Sequence, residues 1–252
     1  MQAPTTWSDT PRVIRESVRL LGVWMTLRYL LIWLLSYKPF DDRAFDKRHG
    51  TDTGGMVPTR DLDIADDAVK WQSNLYLGSP ARVTRRIIDG LDIDPAEFTF
   101  VDYGSGKGRA LFVAAEYPFR EVVGVEISAA LHAAAQVNLQ RYRGPADTGR
   151  IRLWCGNALD FKLPAGNLVL HMYHPVGPEV LRELLRHICA GADTGTGPRR
   201  ILIPYLFSIA VAKSVFREFP QLERVRDELC VNNLYRWTLY EWTGPKPRLE
   251  PA

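Results

Sequence analysis

The feature that most constrains this chain is the run Phe-Thr-Phe-Val-Asp-Tyr-Gly-Ser-Gly-Lys-Gly-Arg over residues 98–109. Its first half, Phe98 to Tyr103, has the apolar and aromatic composition of a buried strand and carries one acid, Asp102. Alternating glycines follow and lead into a predicted helix over residues 110–115. Glycine allows a sharp turn and a close approach to a ligand, and the amide groups at a helix start favour negative groups. The run therefore predicts a strand–turn–helix unit that binds a nucleotide-type cofactor.

Two common nucleotide motifs do not match this glycine spacing. The dinucleotide fingerprint G-x-G-x-x-G would need a glycine where this chain has Arg109. The phosphate loop needs Ser or Thr after its lysine, whereas here Gly108 follows Lys107. A nicotinamide-dependent oxidoreductase is therefore disfavoured. A glycine-rich turn without a ligand is the remaining alternative, although a turn alone needs fewer glycines.

The pattern that does match, acid-x-G-x-G-x-G, resembles motif I of the class I S-adenosylmethionine-dependent methyltransferases. In that family the glycine turn passes under the amino acid part of S-adenosylmethionine, and the preceding acid helps to hold the ammonium group of the cofactor. The resemblance covers about residues 80–243 and implies that this cofactor is bound by Asp102 and by the turn. The turn residues concerned are Gly104, Ser105, Gly106, Gly108 and Arg109.

Two further strand ends extend the predicted cofactor site. Residues 121–126 form a short apolar strand that ends at Glu126, 22 residues after Gly104. An acid near this spacing accepts hydrogen bonds from ribose hydroxyls in a βαβ nucleotide fold. A third strand over residues 150–155 leads to Asn157, where the resembled family usually has an acid that binds the adenine amino group. The Asn157 oxygen can also accept from an amine. The predicted cofactor set is completed by Ile127, Ala158 and Tyr76, the last of which could reach the methionine end.

The order of the elements predicts an α/β fold. From residue 80 onward, apolar strands alternate with helices, which favours a Rossmann-like, mainly parallel sheet with right-handed crossovers. The last two strands, over residues 222–231 and 234–243, flank Asn232 and Asn233, which suit a hairpin turn. We therefore expect a seven-stranded sheet with a C-terminal antiparallel hairpin, as is usual in the resembled family, and an N-terminal helical extension.

The end of the fourth predicted strand, residues 167–173, is the expected place for the methyl acceptor, because ligands of open α/β sheets bind at the carboxyl ends of the strands. The chain reads His171-Met-Tyr173-His174-Pro175-Val at this place. Amino-methylating members of the family often carry Asn or Asp, then Pro-Pro, then an aromatic, so the resemblance is partial here. His174 and Tyr173 are the predicted catalytic residues, since histidine can accept, donate or take up a proton near neutral pH. Strand alternation puts His171 and Tyr173 on one face and His174 on another, and a purely structural His174 is the alternative.

The N-terminal part consists of an apolar run and a polar connection. The run from Leu20 to Tyr37 is almost wholly apolar, but Arg28 interrupts it and its 18 residues are barely enough to span a bilayer. Three coverings are open for this run: a membrane surface, a second copy of the chain, or the chain's own core. The Gly- and Thr-rich stretch over residues 45–58 is predicted either as a lid over the cofactor or as a plain linker. We expect the hydrophobic helix and lid or linker to occupy residues 1–60 and the methyltransferase domain to occupy residues 61–252.

Composition limits the compartment and the partners. The three cysteines are far apart and form neither a metal pattern nor a disulfide framework, which predicts a cytoplasmic protein, with contact at the inner membrane face left open. The formal net charge of +3 is small and the chain has no basic-aromatic stripe, so nucleic acid is not expected as the acceptor. We expect a methyltransferase that acts on a nitrogen or an oxygen of a small molecule, a peptide or a protein. A cofactor-binding interaction module without catalysis is the alternative.

Overall fold

The computed structural model describes residues 18, 22–24, 26–27, 43–64, 73–193, 199–230 and 235–244. The chain divides into two compact units, Met1–Pro39 and Phe40–Ala252. Most of the apolar run from Leu20 to Tyr37 lies outside the described residues, so the predictions for its covering stay predictions. The boundary predicted between residues 60 and 61 also stays a prediction. Within the described ranges, no helix is long and apolar enough to cross a membrane.

The second unit alternates short helices and strands. The helices among its described residues are α1 (Arg43–His49), α2 (Ala81–Asp89), α3 (Arg109–Ala114), α4 (Ala129–Arg141), α5 (Pro178–Asp193) and α6 (Ala210–Phe216). Its strands are β1 (Met56–Val57), β2 (Tyr76–Leu77), β3 (Phe98–Tyr103), β4 (Glu121–Glu126), β5 (Ile151–Cys155), β6 (Asn167–Tyr173), β7 (Ile201–Leu206), β8 (Leu222–Cys230) and β9 (Tyr235–Trp242). Short 3-10 helices cover Thr59–Asp61, Pro95–Glu97 and Thr148–Arg150.

A seven-stranded sheet in the order β5-β4-β3-β6-β7-β9-β8 carries the fold. The pairs from β5 to β7 are parallel, and β9 is antiparallel to both of its neighbours, β7 and β8. The predicted mainly parallel sheet with a C-terminal antiparallel hairpin is therefore confirmed. The hairpin turn itself, with Asn232 and Asn233, lies outside the described residues. Because β3, β4, β5 and β6 run in the same direction, their carboxyl ends meet at one edge of the sheet.

Apolar layers cover both faces of the sheet. Phe100 and Val169 belong to a cluster that includes buried residues of α2 and α3. Val101 and Leu170, their neighbours in the chain, belong to a second cluster with buried residues of α5 and α6. A parallel sheet that is covered on both faces needs strands that are apolar nearly throughout, which is why these strands read as continuous apolar runs. Burial of apolar area at about 25 cal/mol per Å² then fixes the helices on the sheet.

A polar segment, residues 43–64, lies along the edge of the sheet and is called the strap below. It begins with α1, and its strand β1 pairs antiparallel with β2, with Val57 opposite Tyr76. The carboxylate of Asp63 accepts hydrogen bonds from the Ser128 hydroxyl and from the backbone N–H of Ala130, 2.8 Å away, at the start of α4. Ser128 is the N-cap of α4, and its side chain accepts a hydrogen bond from the N–H of Leu131. The strap thus lies beside the helix that follows β4, and its role as a lid stays a prediction.

Candidate functional site

A cavity lies at the edge of the sheet where β3, β4, β5 and β6 end. The structure brings most of the predicted site residues to its lining, although they come from separate parts of the sequence. Three predicted residues, Gly106, Gly108 and His174, are not among its lining residues. The binding and catalytic roles assigned from the sequence stay predictions. The predicted residues that line the cavity are Tyr76, Asp102, Gly104, Ser105, Arg109, Glu126, Ile127, Asn157, Ala158 and Tyr173.

The glycine turn between β3 and α3 has a backbone conformation that glycine adopts more readily than any other residue. The φ angle is +76° at Gly104, +53° at Gly106 and +92° at Gly108. A Cβ atom built on Gly106 would lie 2.1 Å from Cε2 of Tyr76, and one on Gly104 would lie 2.9 Å from Cβ of Pro175. The turn therefore lies directly against these two side chains, which leaves no room for a side chain of its own.

The Glu126 carboxylate is bound to the backbone by both of its oxygens. Oε2 accepts a hydrogen bond of 2.7 Å from the N–H of Gly106, and Oε1 accepts one of 2.8 Å from the N–H of Ser128. The side chain is buried. Burial raises the pKa of Glu126, while the amide hydrogen bonds from Ser128 and Gly106 act in the opposite direction. Glu126 therefore fixes the glycine turn against the end of β4, and its remaining lone pairs are what a ribose could use.

Asp102, the other predicted acid, has a different environment. It is buried, lines the cavity, and one of its oxygens, Oδ1, lies 2.6 Å from Nδ1 of His171 on the neighbouring strand β6. No hydrogen bond to its second oxygen, Oδ2, comes from the residues that the structure describes. A carboxylate has acceptor capacity on both oxygens. Half of this buried carboxylate is thus free to meet a ligand.

The Arg109 side chain connects the glycine turn to the strap. It is only 1% exposed, and its Nη2 lies 3.3 Å from Oδ2 of Asp46. Its Nε donates to the Thr53 hydroxyl over 2.7 Å, and the Tyr76 hydroxyl donates to the Thr53 carbonyl over 2.7 Å. Nη1 is buried and has no hydrogen-bond partner among the described residues. Burial raises the pKa of Tyr76, so this hydroxyl stays protonated and available as a donor.

Beyond the acids, the cavity wall is apolar. Leu62 and Ile64 of the strap pack together with Leu131 and Ile127, and all four line the cavity. At the end of β5, the side-chain oxygen of Asn157 accepts a hydrogen bond of 3.0 Å from the N–H of Leu159. An Asn157 contact with an adenine amine would therefore have to share this oxygen, which has a second lone pair.

At the end of β6, the side chains of Tyr173 and His174 have different surroundings. Tyr173 is half-buried and lines the cavity, whereas the His174 ring is hydrogen bonded through Nδ1 to the buried Tyr205 hydroxyl over 2.7 Å. The side chain of Asn74 donates to the His174 carbonyl over 2.7 Å, and its backbone N–H donates to the Pro175 carbonyl over 3.1 Å. Burial lowers the pKa of His174 to about 4, so the ring is neutral at pH 7. His171 and Tyr173 line the cavity and His174 does not, which agrees with the predicted difference in direction, although His174 lies beyond the end of β6.

Sequence reasoning did not find two of the polar contacts at this edge. The Asp102–His171 pair joins residues 69 positions apart, and the Arg109–Asp46 pair joins residues 63 positions apart. The only available signal was that His171 and Asp102 both lie near the ends of predicted strands. A single sequence does not say which strands are neighbours, so it could not pair them.

Comparison with known proteins gives a likeness of fold. No family model matches the sequence, and no curated protein matches it. An RNA methyltransferase from Salinibacter ruber, solved in complex with S-adenosyl-L-homocysteine, is 19% identical, with a TM-score of 0.46 over 69% of this chain and 97% of that chain. The mitomycin 7-O-methyltransferase MmcR is 17% identical, with a TM-score of 0.49 over 66% of this chain and 55% of that chain. A predicted N6-adenine-specific DNA methylase from Listeria monocytogenes is 16% identical, with a TM-score of 0.47 over 66% of this chain and 51% of that chain.

At such identities the likeness concerns the fold alone. The observed sheet is mainly parallel, and the antiparallel β8–β9 hairpin forms one of its edges. This arrangement is the one expected of the class I S-adenosylmethionine-dependent methyltransferase fold. The resemblance stated from motif I is thus confirmed at the level of the fold.

The expectation that nucleic acid is not the acceptor is wrong. Solved structures of similar fold bear the names of an RNA methyltransferase and a DNA methylase as well as that of a small-molecule methyltransferase. The physical reason for the error is that a net charge of +3 describes the whole chain, whereas an acceptor meets only one part of the surface. Neither charge nor fold therefore excludes a nucleic acid.

Proposed function

We propose that this chain is an S-adenosylmethionine-dependent methyltransferase whose cofactor binds in the cavity at the ends of β3, β4 and β5. The observation that carries the proposal is the state of Asp102. This carboxylate is buried beside the glycine turn and lines the cavity, and its Oδ2 receives no hydrogen bond from the described residues. A buried carboxylate with an open oxygen favours a cationic group in the cavity, because an unpaired buried charge is costly.

The cavity lining fits the separate parts of this cofactor. Asp102 would hold the ammonium group. Arg109, whose Nη1 is buried without a partner among the described residues, would hold the carboxylate at the same end. Glu126 would accept from the ribose hydroxyls, and Asn157 from the adenine amine. The apolar wall that includes Ile127 would cover the adenine faces.

The chemistry requires alignment more than it requires an acid or a base. When bound, the cofactor supplies a methyl group on a sulfonium centre, which is already a good leaving group. The chain then has to orient the acceptor in line with that group and exclude water. Tyr76 and the strap cover the glycine turn from one side, and Tyr173 with Pro175 and Val176 lines the cavity at the end of β6.

For the acceptor side, we place Tyr173 beside the reacting atoms. His174 is neutral at pH 7 and its Nδ1 is hydrogen bonded to Tyr205, away from the cavity lining. Its carbonyl and that of Pro175 are both occupied by Asn74. His174 would therefore hold the shape of the turn after β6 rather than take a proton from the acceptor. A nitrogen or oxygen acceptor on a small molecule, a peptide, a protein or a nucleic acid is compatible with this arrangement.

Calorimetry on the full chain tests the cofactor. S-adenosylhomocysteine should bind, and NAD should not. Tight binding of NAD, or no binding of S-adenosylhomocysteine, would contradict the proposal. Transfer of labelled methyl groups to separate fractions of small molecules, proteins, RNA and DNA then tests the reaction and identifies the acceptor class. Binding without transfer to any fraction would contradict the enzymatic part of the proposal.

A further inference from the structure

We propose that His171 is a positioning residue for the cofactor and that it acts through Asp102. By binding one oxygen of the carboxylate, the imidazole orients the other oxygen toward the ammonium group of the ligand. This inference rests on the function proposed for the cavity and adds a residue to it. The chemical group that it concerns is a primary ammonium on an amino acid part attached to a nucleoside.

The geometry of the pair is set by the sheet. Asp102 on β3 and His171 on β6 are direct neighbours in the parallel register, so their side chains leave the sheet on the same face. His171 Nδ1 lies 2.6 Å from Oδ1 of Asp102, and the side chains are 1% and 6% exposed, respectively. The His171 ring also stacks on Phe100, with centroids 5.7 Å apart and planes 26° apart. Packing and hydrogen bonding therefore fix the ring, and the ring in turn fixes the carboxylate.

The second ring nitrogen indicates the charge of the pair. Nε2 of His171 is buried and has no hydrogen-bond partner among the described residues. An imidazolium would carry an N–H at this position, and a buried N–H without an acceptor is costly. The neutral tautomer with its proton on Nδ1 leaves only an unused lone pair. His171 thus donates a hydrogen bond as a neutral group, and Asp102 keeps its full negative charge for a cation.

The same burial excludes a direct role for His171 with the acceptor. His171 is among the residues that line the cavity, but Nε2, the one ring nitrogen not bound to Asp102, is itself buried. A group in this position cannot exchange a proton with a substrate. Its effect on binding has to pass through Asp102.

The contrast with Glu126 supports this division of labour. Backbone N–H groups hold both Glu126 oxygens, so that carboxylate needs no side chain to orient it. Asp102 has no such amide partner in the described structure, and His171 is the group that takes its place. A carboxylate with one fixed and one open oxygen is pre-organised, which lowers the cost of binding a ligand.

Two substitutions of similar shape test the proposal. His171→Leu removes the donor, whereas His171→Asn places an amide nitrogen near the position of Nδ1. Both are compared with wild type by calorimetry, using S-adenosylhomocysteine and 5′-methylthioadenosine. The second ligand carries the nucleoside and the sulfur without the amino acid part. Thermal denaturation reports whether each variant is folded.

We expect His171→Leu to weaken binding of S-adenosylhomocysteine by about tenfold to a hundredfold, as for a lost hydrogen bond to a charged group, and binding of methylthioadenosine by less than about threefold. His171→Asn should recover most of the selective loss. As a control, His187→Leu removes a histidine whose ring binds the Phe161 carbonyl outside the cavity lining, and it should not alter the ratio of the two affinities.

Equal losses for both ligands in the His171→Leu variant would show a structural role and overturn the proposal. If the Leu variant does not fold, the Asn variant decides alone: a folded Asn variant that loses affinity for both ligands by the same factor overturns the proposal. A wild-type protein that binds neither ligand overturns the proposed function itself, and this inference with it.

Discussion

The two sides of the cavity are stabilised by different kinds of contact. On the glycine-turn side, the positive φ angles of the glycines set the course of the chain, and Glu126 binds the backbone N–H groups of Gly106 and Ser128. At the end of β6, the His174 carbonyl is held by Asn74 and its ring by Tyr205, both remote in sequence. The first side is specified by backbone geometry and the second by contacts between distant elements. A local motif can therefore describe the first side but not the second.

The largest effect expected on the glycine-turn side is that of Gly106→Ala. The φ angle of +53° and a Cβ position 2.1 Å from the Tyr76 ring combine strain with overpacking, at about 3–5 kcal/mol in total. Calorimetry should show no binding of S-adenosylhomocysteine, and denaturant unfolding should show the loss of stability.

The matched control is Gly55→Ala, because Gly55 also has a positive φ, +84°, but a Cβ there meets nothing within 4 Å. It should cost only about 1–2 kcal/mol. If both variants behave alike, the close approach of Tyr76 to the turn is not what constrains Gly106.

The next effect in size is that of Asp46→Asn, which removes the charge opposite Arg109. The Arg109 side chain is 1% exposed and that of Asp46 15%, and breaking a buried pair from one side costs about 3 kcal/mol or more. Urea denaturation of wild type and Asp46→Asn measures this loss as a decrease in the free energy of unfolding. Asp61→Asn in the exposed Arg60–Asp61 pair, with a distance of 3.8 Å, should change stability by less than about 1 kcal/mol. Equal effects of the two substitutions would show that the strap does not stabilise the turn.

A smaller loss is expected for Glu126→Gln. The two oxygens of Glu126 accept from two backbone N–H groups, and a glutamine offers one oxygen and one NH₂ group in their place. One N–H is then left without an acceptor, which costs about 1–3 kcal/mol of stability. Glu121→Gln, at the exposed start of the same strand, is the control for denaturant unfolding, and no difference between the two would contradict the role given to Glu126.

The smallest effect concerns the end of β6 and depends on pH. The folded-state pKa of His174 is lowered from 6.5 to about 4, so the fold favours the neutral ring. The stabilisation of the fold by the neutral ring is fully present above pH 6.5. The free energy of unfolding decreases by about 1–3 kcal/mol as the pH falls toward 4. Stability curves of wild type and His174→Asn should therefore converge or cross in this range, since asparagine tolerates the φ of +41° and does not titrate. Parallel curves would contradict the burial of the neutral ring.

Much of the fold could be predicted because its signals are local. The strands predicted over residues 98–103, 121–126 and 167–173 agree with β3, β4 and β6, since buried parallel strands are continuous apolar runs bounded by turn residues. The glycine turn was readable for the same reason: its positive φ angles permit few residues other than glycine.

The strap and the polar pairs could not be predicted in this way. The strands β1 and β2 have two residues each, which is too short for a periodic pattern. The partners of Asp102 and Arg109 depend on which strands are neighbours and on where the strap lies. Likewise, His174 was singled out for its chemistry, whereas its hydrogen bond to Tyr205 depends on the β6–β7 pairing.

A crystal structure of the full chain with S-adenosylhomocysteine tests the cofactor site most directly. We expect the ligand in the cavity, with its ammonium group about 3 Å from Oδ2 of Asp102. The Asp102–His171 contact should be retained, and the ribose should lie at Glu126. A ligand bound elsewhere, or an ammonium group that does not contact Asp102, would contradict it.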